Sequence, residues 1–227
     1  MFDIPTKDVS LRPCWRIIPT RVPPVDLFAP IAPNEDWGAL MALETQTNQR
    51  LRQEHNVVEL IRGEDQVSEP GASLIVAPFC HPNPEGEVFS DGSFGVCIVT
   101  STLEEAVELS VQRRTAFLAA TGVPPTDVQM RVLNIDLSGT FHDLRGDAGK
   151  QFATENERRN VGCYLRSSGS YGVICDEPIA PKGENIYVFR PPVLSNCRQE
   201  RHLVYRWNGA EIERVYDYST GSMIYAA

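Results

Sequence analysis

The sequence is short of basic side chains. Lysine and arginine together number 21, against 30 aspartates and glutamates in 227 residues, so the formal net charge is −9 at pH 7. A net negative field repels the phosphate backbone of nucleic acids. We therefore expect no nucleic-acid partner. A local pocket of arginines can still bind a small phosphorylated ligand, because close charge-assisted hydrogen bonds outweigh a diffuse and screened net charge.

Long apolar runs and paired cysteine motifs are also lacking. No apolar run approaches the roughly 18 residues that a membrane-spanning helix needs, and no basic start with an apolar region after it opens the chain. The six cysteines include no Cys-x-x-Cys pair, and Cys80-His81 has no further ligands at metal spacing. We expect a cytoplasmic protein with reduced thiols, no metal site and no membrane association.

Hydrophobic residues make up 42% of the sequence, which is enough for one sizeable core. Predicted strands and helices are intermingled from end to end, without internal repeats or a Ser/Gly-rich linker. We predict that residues 1–13 form a loose lead-in and that residues 14–227 form a single mixed α/β domain.

Capping signals mark the starts of three predicted helices. One begins at Asn34, a second at two overlapping capping boxes within residues 101–105, and a third at the box formed by Thr154 and Glu157. Leu109 lies almost opposite the apolar stripe of the second helix. An apolar side chain there indicates that a second face of this helix is also covered, by protein or by a ligand cleft.

Short apolar segments predict the strands. The predicted strands are residues 15–18, 72–79, 128–137, 172–175 and 186–189. The apolar parity changes after Val132, which indicates a bulge or burial on both faces. Asn208-Gly209 lies between two β-type segments and predicts a hairpin with a type I′ turn.

Several segments occur together in an order that is typical of one known family. They are residues 16–28, residues 47–52, Phe89-Ser90-Asp91-Gly92 with the helix that follows, His142-Asp143-Leu144-Arg145-Gly146, and Val188-Phe189-Arg190-Pro191. Over nearly the whole chain, the sequence resembles the RES-domain family, known chiefly as the toxin half of bacterial toxin–antitoxin pairs that consume NAD. The resemblance implies a split-sheet fold related to ADP-ribosyltransferases, NAD as substrate or ligand, and an antitoxin-like partner or a homo-oligomer.

The resemblance also implies a set of ligand-binding residues. Cleavage of NAD develops positive charge on the ribose, which a carboxylate stabilises, and the planar fork of arginine suits a pyrophosphate. The implied ligand-binding residues are Arg16, Arg21, Asn48, His81, Phe89, Ser90 and Cys97. A surface position for Arg16, a helix end for Asn48 and a turn for His81 are the alternative interpretations.

Positions that should carry the chemistry depart from the family pattern. Val88 stands where the family has an arginine, Cys97 where it has a tyrosine, and Glu177 where it has a serine. Leu109 aligns with the catalytic glutamate, and a leucine cannot stabilise a cation. Glu108 is adjacent, but a shift of one residue on a helix turns a side chain by about 100°.

Three hypotheses follow. In the first, the cleft binds an NAD-type nucleotide and a relocated carboxylate supports altered glycosidic or ADP-ribosyl chemistry. The candidate carboxylates are Glu177, Glu108 and Asp176, and we favour Glu177 and Glu108 as catalytic. In the second, the protein is a degenerate relative that binds a ligand or a partner without catalysis.

The third hypothesis is a thiol enzyme that uses Cys97 or Cys175 together with His81. It is the weakest of the three, because a cysteine on a buried strand is usually a small hydrophobic residue, and no neighbouring charge in the sequence turns either thiol into a thiolate.

Overall fold

The structure, a computed structural model, describes residues 3–20, 63–65, 67, 71–176 and 184–226. The α-helices and β-strands in these ranges are, in chain order, β1 (Thr6–Pro19), α1 (Ala72–Cys80), β2 (Cys97–Thr100), α2 (Leu103–Thr121), β3 (Thr126–Asp143), α3 (Asp147–Lys150), α4 (Glu155–Ser167), β4 (Gly172–Asp176), β5 (Glu184–Val188), β6 (Leu194–Trp207), β7 (Ile212–Asp217) and β8 (Met223–Ala226). The helix predicted from Asn34 lies outside the described residues.

The eight strands form one hydrogen-bonded sheet, in the order β1-β2-β5-β4-β3-β6-β7-β8. β1 also pairs with β3 along its whole length, from Thr6 opposite His142 to Pro19 opposite Met130. The strands β1, β2, β5, β4 and β3 therefore close into a ring. β3 and β4 are parallel, whereas the other pairs are antiparallel. The predicted single α/β domain with a mixed sheet is confirmed.

Closure of the ring creates an interior that is lined mainly by apolar side chains. Buried residues from all five ring strands meet there, and α1 contributes Leu74 and Ile75. We call the side of β1 and β3 that faces this cluster the inner face. On the outside of the ring, α4 packs against β4 and β5, and α2 packs against β3, β6 and β7.

Two of the predicted capping boxes form, those of Thr102 with Glu105 and of Thr154 with Glu157. The overlapping box of Ser101 with Glu104 does not form, and Ser101 donates to Glu105 Oε2 instead. The backbone N–H of Glu105 donates to Thr102 Oγ1 at 3.2 Å, and the N–H of Thr102 donates to Glu105 Oε2 at 3.1 Å. Thr154 and Glu157 make the same reciprocal pair at the start of α4. These hydrogen bonds satisfy backbone donors that a helix start otherwise leaves free. The irregularity predicted near Val132 is also present, as register shifts between β3 and β6.

The strand predicted at residues 72–79 is wrong, because this segment is the helix α1. Leu74, Ile75 and Val76 are all buried, at 7%, 0% and 3% exposure. A helix that is covered on several sides has no polar face and hence no 3.6-residue period. A short apolar run of this kind cannot be distinguished from a buried strand by its pattern.

The lead-in expected over residues 1–13 also differs from the structure. From Thr6 onward these residues belong to β1, and they pair with β3 up to a bulge between Leu11 and Cys14. Most side chains of this part are exposed, although Val9 is buried. The segment therefore looks polar in the sequence, and its strand form depends on the ladder that β3 provides.

The hairpin predicted around Asn208-Gly209 is confirmed as the connection between β6 and β7. The predicted type I′ turn is wrong, since a type I′ turn needs a positive φ at both central residues. Asn196 is the only non-glycine residue with positive φ in the described part of the chain. Instead, Asn208 Oδ1 accepts the N–H groups of Ala210 and Glu211, each at 2.9 Å.

α4 packs closely against the loop before β2 at Gly162, and a substitution there tests this packing. A Cβ at Gly162 would lie 1.9 Å from the carbonyl oxygen of Phe89, which is backbone and cannot yield cheaply. We expect Gly162→Ala to destabilise the protein by about 1–3 kcal/mol through overpacking, measured by urea unfolding. Asn160→Ala, at an exposed position of the same helix, should change stability by less than about 0.5 kcal/mol. Equal stability of the two variants would contradict this packing.

Candidate functional site

A cavity of about 130 Å³ lies between the first two strands and the N-terminal half of α2. β1 and β2 share a single pair, Trp15 opposite Thr100, so the ring is open beside this point. The side chains that give the cavity its chemical character are Arg16, Glu87, Ile98, Thr100, Leu109, Ser110 and Arg113. The first strand, the loop before β2, and α2 thus each contribute a wall.

Arg16 lines the cavity and is half-buried. Its register partner is Leu133, a core residue of the ring interior, so the arginine side chain leaves β1 on the inner face. The Nη1 group donates to Cys97 Sγ at 2.8 Å. Among the described residues, no carboxylate forms an ion pair with Arg16. Within the described part of the chain its charge is therefore uncompensated, and an anionic ligand would stabilise it.

Cys97 is fully buried on β2, and burial raises the pKa of its thiol, although the nearby Arg16 guanidinium acts in the opposite direction. Burial also raises the pKa of Cys14, whose thiol donates to the carbonyl oxygen of Ile135 at 3.0 Å. Raised pKa values keep both thiols protonated near neutral pH. They behave as small core residues, as expected for buried strand cysteines.

Glu87 is the carboxylate that the structure places at the cavity. Its Oε2 lies 2.5 Å from Arg113 Nη2. Its backbone is held by the bridge to Ser90, in which the Glu87 N–H donates to the Ser90 carbonyl at 2.8 Å. Arg159 Nε also donates to the Glu87 carbonyl, at 3.3 Å. The position of the carboxylate is thus fixed by the turn between Glu87 and Ser90 and by its contact with Arg113.

Glu87 and Arg113 were missed by sequence reasoning. Glu87 directly precedes Val88 and the Phe89-Ser90-Asp91-Gly92 motif, which is the signal that could have drawn attention to it. Arg113 follows Leu109 by four residues on α2, a spacing that places two side chains on one helix face. The pairing between them joins two segments that are 26 residues apart, which sequence spacing does not reveal.

Leu109 lines the cavity, whereas Glu108 is not among the lining residues. Leu109 is 7% exposed, and Glu108 is half-buried. The second covered face that we expected on this helix is therefore present, and it forms one wall of the cavity. Because the helix turns neighbouring side chains apart, the apolar side chain occupies the place at which the family resemblance implies a glutamate.

Phe89 and Ser90 shape the loop before β2. Phe89 is 1% exposed and packs edge-to-face on Tyr187, with the ring centroids 4.9 Å apart. Ser90 Oγ donates to the Phe94 carbonyl at 2.6 Å and accepts the Gly92 N–H at 3.1 Å. Both side chains therefore make contacts that stabilise the loop itself. A ligand-binding role for either one remains a prediction.

The remaining predicted site residues are not gathered at the cavity. His81 follows α1 on the exposed surface, and its N–H donates to the Ala77 carbonyl at 3.1 Å. Asp176 Oδ2 accepts the Gly146 N–H at 3.0 Å, and its neighbour Cys175 is buried. Three others, Arg21, Asn48 and Glu177, lie outside the described residues.

Two kinds of feature are absent from the described residues. These residues contain no group of three or more His, Cys, Asp or Glu side chains that could hold a metal ion. In the same part of the chain, no helix combines the length and the apolar character that crossing a membrane requires.

The thiol-enzyme hypothesis can be tested at Cys97. Because burial raises the pKa of this thiol, we expect iodoacetamide at pH 7.5 to leave Cys97 unmodified in the native protein and to modify it fully after unfolding. Peptide mass spectrometry measures the extent of modification. Cys163, which is less buried, is the internal control. Fast modification of native Cys97 alone would favour a thiol enzyme over the other hypotheses.

A family model and a sequence relative agree with the resemblance seen in the sequence. The model of the RES domain matches residues 66–208. The uncharacterized protein y4oC of Sinorhizobium fredii (strain NBRC 101917 / NGR234) is 32% identical over 209 residues, which cover 89% of this chain and 86% of y4oC. The crystal structure of the M. tuberculosis MbcT-MbcA toxin–antitoxin complex is similar over 88% of this chain and 87% of that chain, at 9% identity and a TM-score of 0.47. The family match and the sequence relative together show that this chain belongs to the RES-domain family.

Proposed function

We propose that this RES-domain protein binds an NAD-type nucleotide with Arg16 as its anchor. The observation that carries the proposal is Arg16, which is one of the residues that line the cavity and whose guanidinium has no carboxylate partner among the described residues. A half-buried cation of this kind is stabilised by an anion, and the planar fork of arginine gives paired hydrogen bonds to phosphoryl oxygens. The NAD class of ligand comes from the family.

The size of the cavity limits which part of the nucleotide it holds. Sites for whole small-molecule ligands usually measure about 300–1,000 Å³, and this cavity measures about 130 Å³. Its walls include Ile98 and Leu109, which are apolar, next to charged groups. We propose that it receives the nicotinamide end of the ligand, with the adjoining phosphoryl group at Arg16.

We propose Glu87 as the relocated carboxylate. In glycosidic cleavage, the bond between ribose C1′ and the nicotinamide nitrogen breaks, and its electron pair leaves with nicotinamide. The sugar becomes positively charged until an acceptor attacks it and releases a proton to solvent. A carboxylate near C1′ stabilises that positive charge. Among the catalytic candidates from the sequence, Glu108 is not a lining residue. Glu177 remains a second candidate outside the described residues.

Binding without turnover is the alternative, and two observations favour it. Leu109 is an apolar wall of the cavity, and Arg113 already neutralises Glu87 through a 2.5 Å contact. A paired carboxylate stabilises a neighbouring cation less than a free one, because Arg113 repels the same developing charge. Family membership also leads us to propose an antitoxin-like protein as a partner under either alternative.

The binding proposal predicts the effect of Arg16→Gln. Loss of a hydrogen-bonding cation should weaken binding of ADP-ribose by about 1.5–3 kcal/mol, measured by titration calorimetry. Since Arg16 has no ion pair to lose among the described residues, the melting temperature should stay near that of the parent. Arg198→Gln, at an exposed site on β6, should bind as the parent does. Equal affinity of Arg16→Gln and the parent would refute the anchor.

The catalytic proposal predicts the effect of Glu87→Gln. This change keeps the side-chain volume and removes the negative charge, so it should abolish any conversion of NAD, NADP or ADP-ribose and leave ADP-ribose binding within about threefold. Mass spectrometry of the reaction products measures the conversion. The matched control is Glu108→Gln on α2, which should retain the parent rate.

The outcomes of this experiment separate the alternatives. If the parent converts none of the three nucleotides but binds ADP-ribose, the protein is a binding protein and the catalytic proposal fails. If Glu87→Gln is as active as the parent while Glu177→Gln is inactive, the carboxylate lies at Glu177 instead.

A further inference from the structure

Arg131, on β3, is a buried cation that has no partner among the residues that the structure describes. Its side chain and backbone together are 3% exposed. Nε and Nη1 are buried and have no hydrogen-bond partner, and no carboxylate among the described residues forms an ion pair with it. Burial lowers the pKa of this guanidinium. An isolated buried charge is strongly unfavourable, so folded proteins normally supply a buried arginine with an anion.

The position of Arg131 on the sheet shows which way it faces. Its neighbours on the strand, Met130 and Val132, pack in the outer cluster with α2. Side chains alternate along a strand, so Arg131 leaves β3 on the inner face. Its cross-strand partners are Ile18 on β1 and His202 on β6. Neither of these side chains can carry a negative charge.

Arg16 leaves the sheet on the same face. It pairs with Leu133, two residues along β3 from Arg131. Diagonal neighbours of this kind have their Cα atoms about 7–8 Å apart in antiparallel sheets. Two arginine side chains at that spacing can reach one diphosphate, each with its own guanidinium.

Thr20 supplies a third polar group in the same place. It follows Ile18 by two residues and continues the pairing of β1, with its N–H donating to the Gln129 carbonyl at 3.1 Å. The two-residue period places its side chain on the face of Arg16 and Ile18. Thr20 Oγ1 is buried and also has no hydrogen-bond partner. Two buried polar groups that lack partners therefore lie beside a cation that lacks a counter-ion.

We propose that Arg131, Thr20 and Arg16 form a diphosphate-binding subsite on the inner face, in which Arg131 and Thr20 hold the phosphoryl group farther from the cavity. This inference rests on the proposed function where it shares Arg16, and it adds the residues that recognise the second phosphoryl group. A diphosphate offers acceptors to both guanidinium groups and to the Thr20 hydroxyl. It thereby compensates the charge of Arg131, which nothing else in the described residues does.

The test uses Arg131→Met in the full chain, with ADP-ribose and inorganic pyrophosphate as the probes. Methionine has a similar length and no charge. Because it removes an unpaired buried cation, the ligand-free variant should melt at or above the parent temperature. Its affinity for both probes should fall about tenfold or more. Arg131→Lys, which keeps the charge but loses the fork, should bind with intermediate affinity.

Two further variants complete the design. Thr20→Val preserves the shape of the side chain and should lower the pyrophosphate affinity severalfold, which keeps the subsite testable if Arg131→Met does not fold. Arg198→Met is the matched control, since Arg198 pairs with Asn134 on β3, is exposed, and lies three residues from Arg131 in the register. It should bind both probes as the parent does.

The outcomes distinguish this inference from the proposed function. If Arg16→Gln loses ADP-ribose binding while Arg131→Met and Thr20→Val bind as the parent does, the nucleotide proposal stands and the subsite is refuted. If Arg131→Met melts well below the parent and folded Arg131→Lys and Thr20→Val bind normally, Arg131 is structural. If pyrophosphate binds and depends on Arg131 but ADP-ribose does not bind, the subsite stands without the nucleotide. Binding of neither probe by the parent refutes both.

Discussion

The pairing of β1 with β3 is the constraint on which the site depends. It closes the ring of five strands, and through its register it places Arg16 beside Leu133 and Ile18 beside Arg131. A shift of one residue would move every side chain of β1 to the opposite face. Arg16 would then leave Cys97 and the inner face. The apolar interior of the ring, which includes Cys14, penalises such a shift and so holds the arginine in place.

Although the net charge of the protein is −9, two arginines, Arg16 and Arg131, lie on the same face of β1 and β3. Most other arginines of the described residues are neutralised locally: Arg113 contacts Glu87, Arg190 contacts Asp65, and Arg145 contacts Asp143. Arg16 and Arg131 have no such partner among those residues. Because a net field is screened over about 10 Å, the acidic surface does not offset these two cations, and the local imbalance governs which ligand they attract.

The parts of the fold that could be predicted from sequence are those whose signals are local. Capping boxes at Thr102 and Thr154 depend on residues three apart, and both predicted helix starts are confirmed. The helix α1 could not be predicted, because burial on several sides removes the helical period from its sequence. The first half of β1 could not be predicted either, because its strand form depends on long-range pairing with β3. The irregular pairing near Val132 was visible only as a change of apolar parity.

The distinction between local signals and long-range contacts also explains which residues of the candidate site could be predicted. Arg16 was found through a family motif, and the departure at Leu109 was visible in the same way. Glu87 and Arg113 come from segments that only the folded chain brings together, and no spacing rule relates Arg131 to Thr20.

The departures from the family pattern at the cavity change which charge the cavity stabilises. A glutamate at the position of Leu109 would present a free carboxylate to a developing sugar cation. The present cavity has an apolar side chain there, and its carboxylate, Glu87, is already in contact with Arg113. Under the proposed function, stabilisation of the sugar cation is therefore weakened, while Arg16 still attracts the anionic phosphoryl group. These two changes affect different steps, because phosphoryl recognition contributes to binding, and carboxylate stabilisation contributes to the barrier. The proposed nucleotide binding can therefore persist even where most of the proposed catalytic rate is lost.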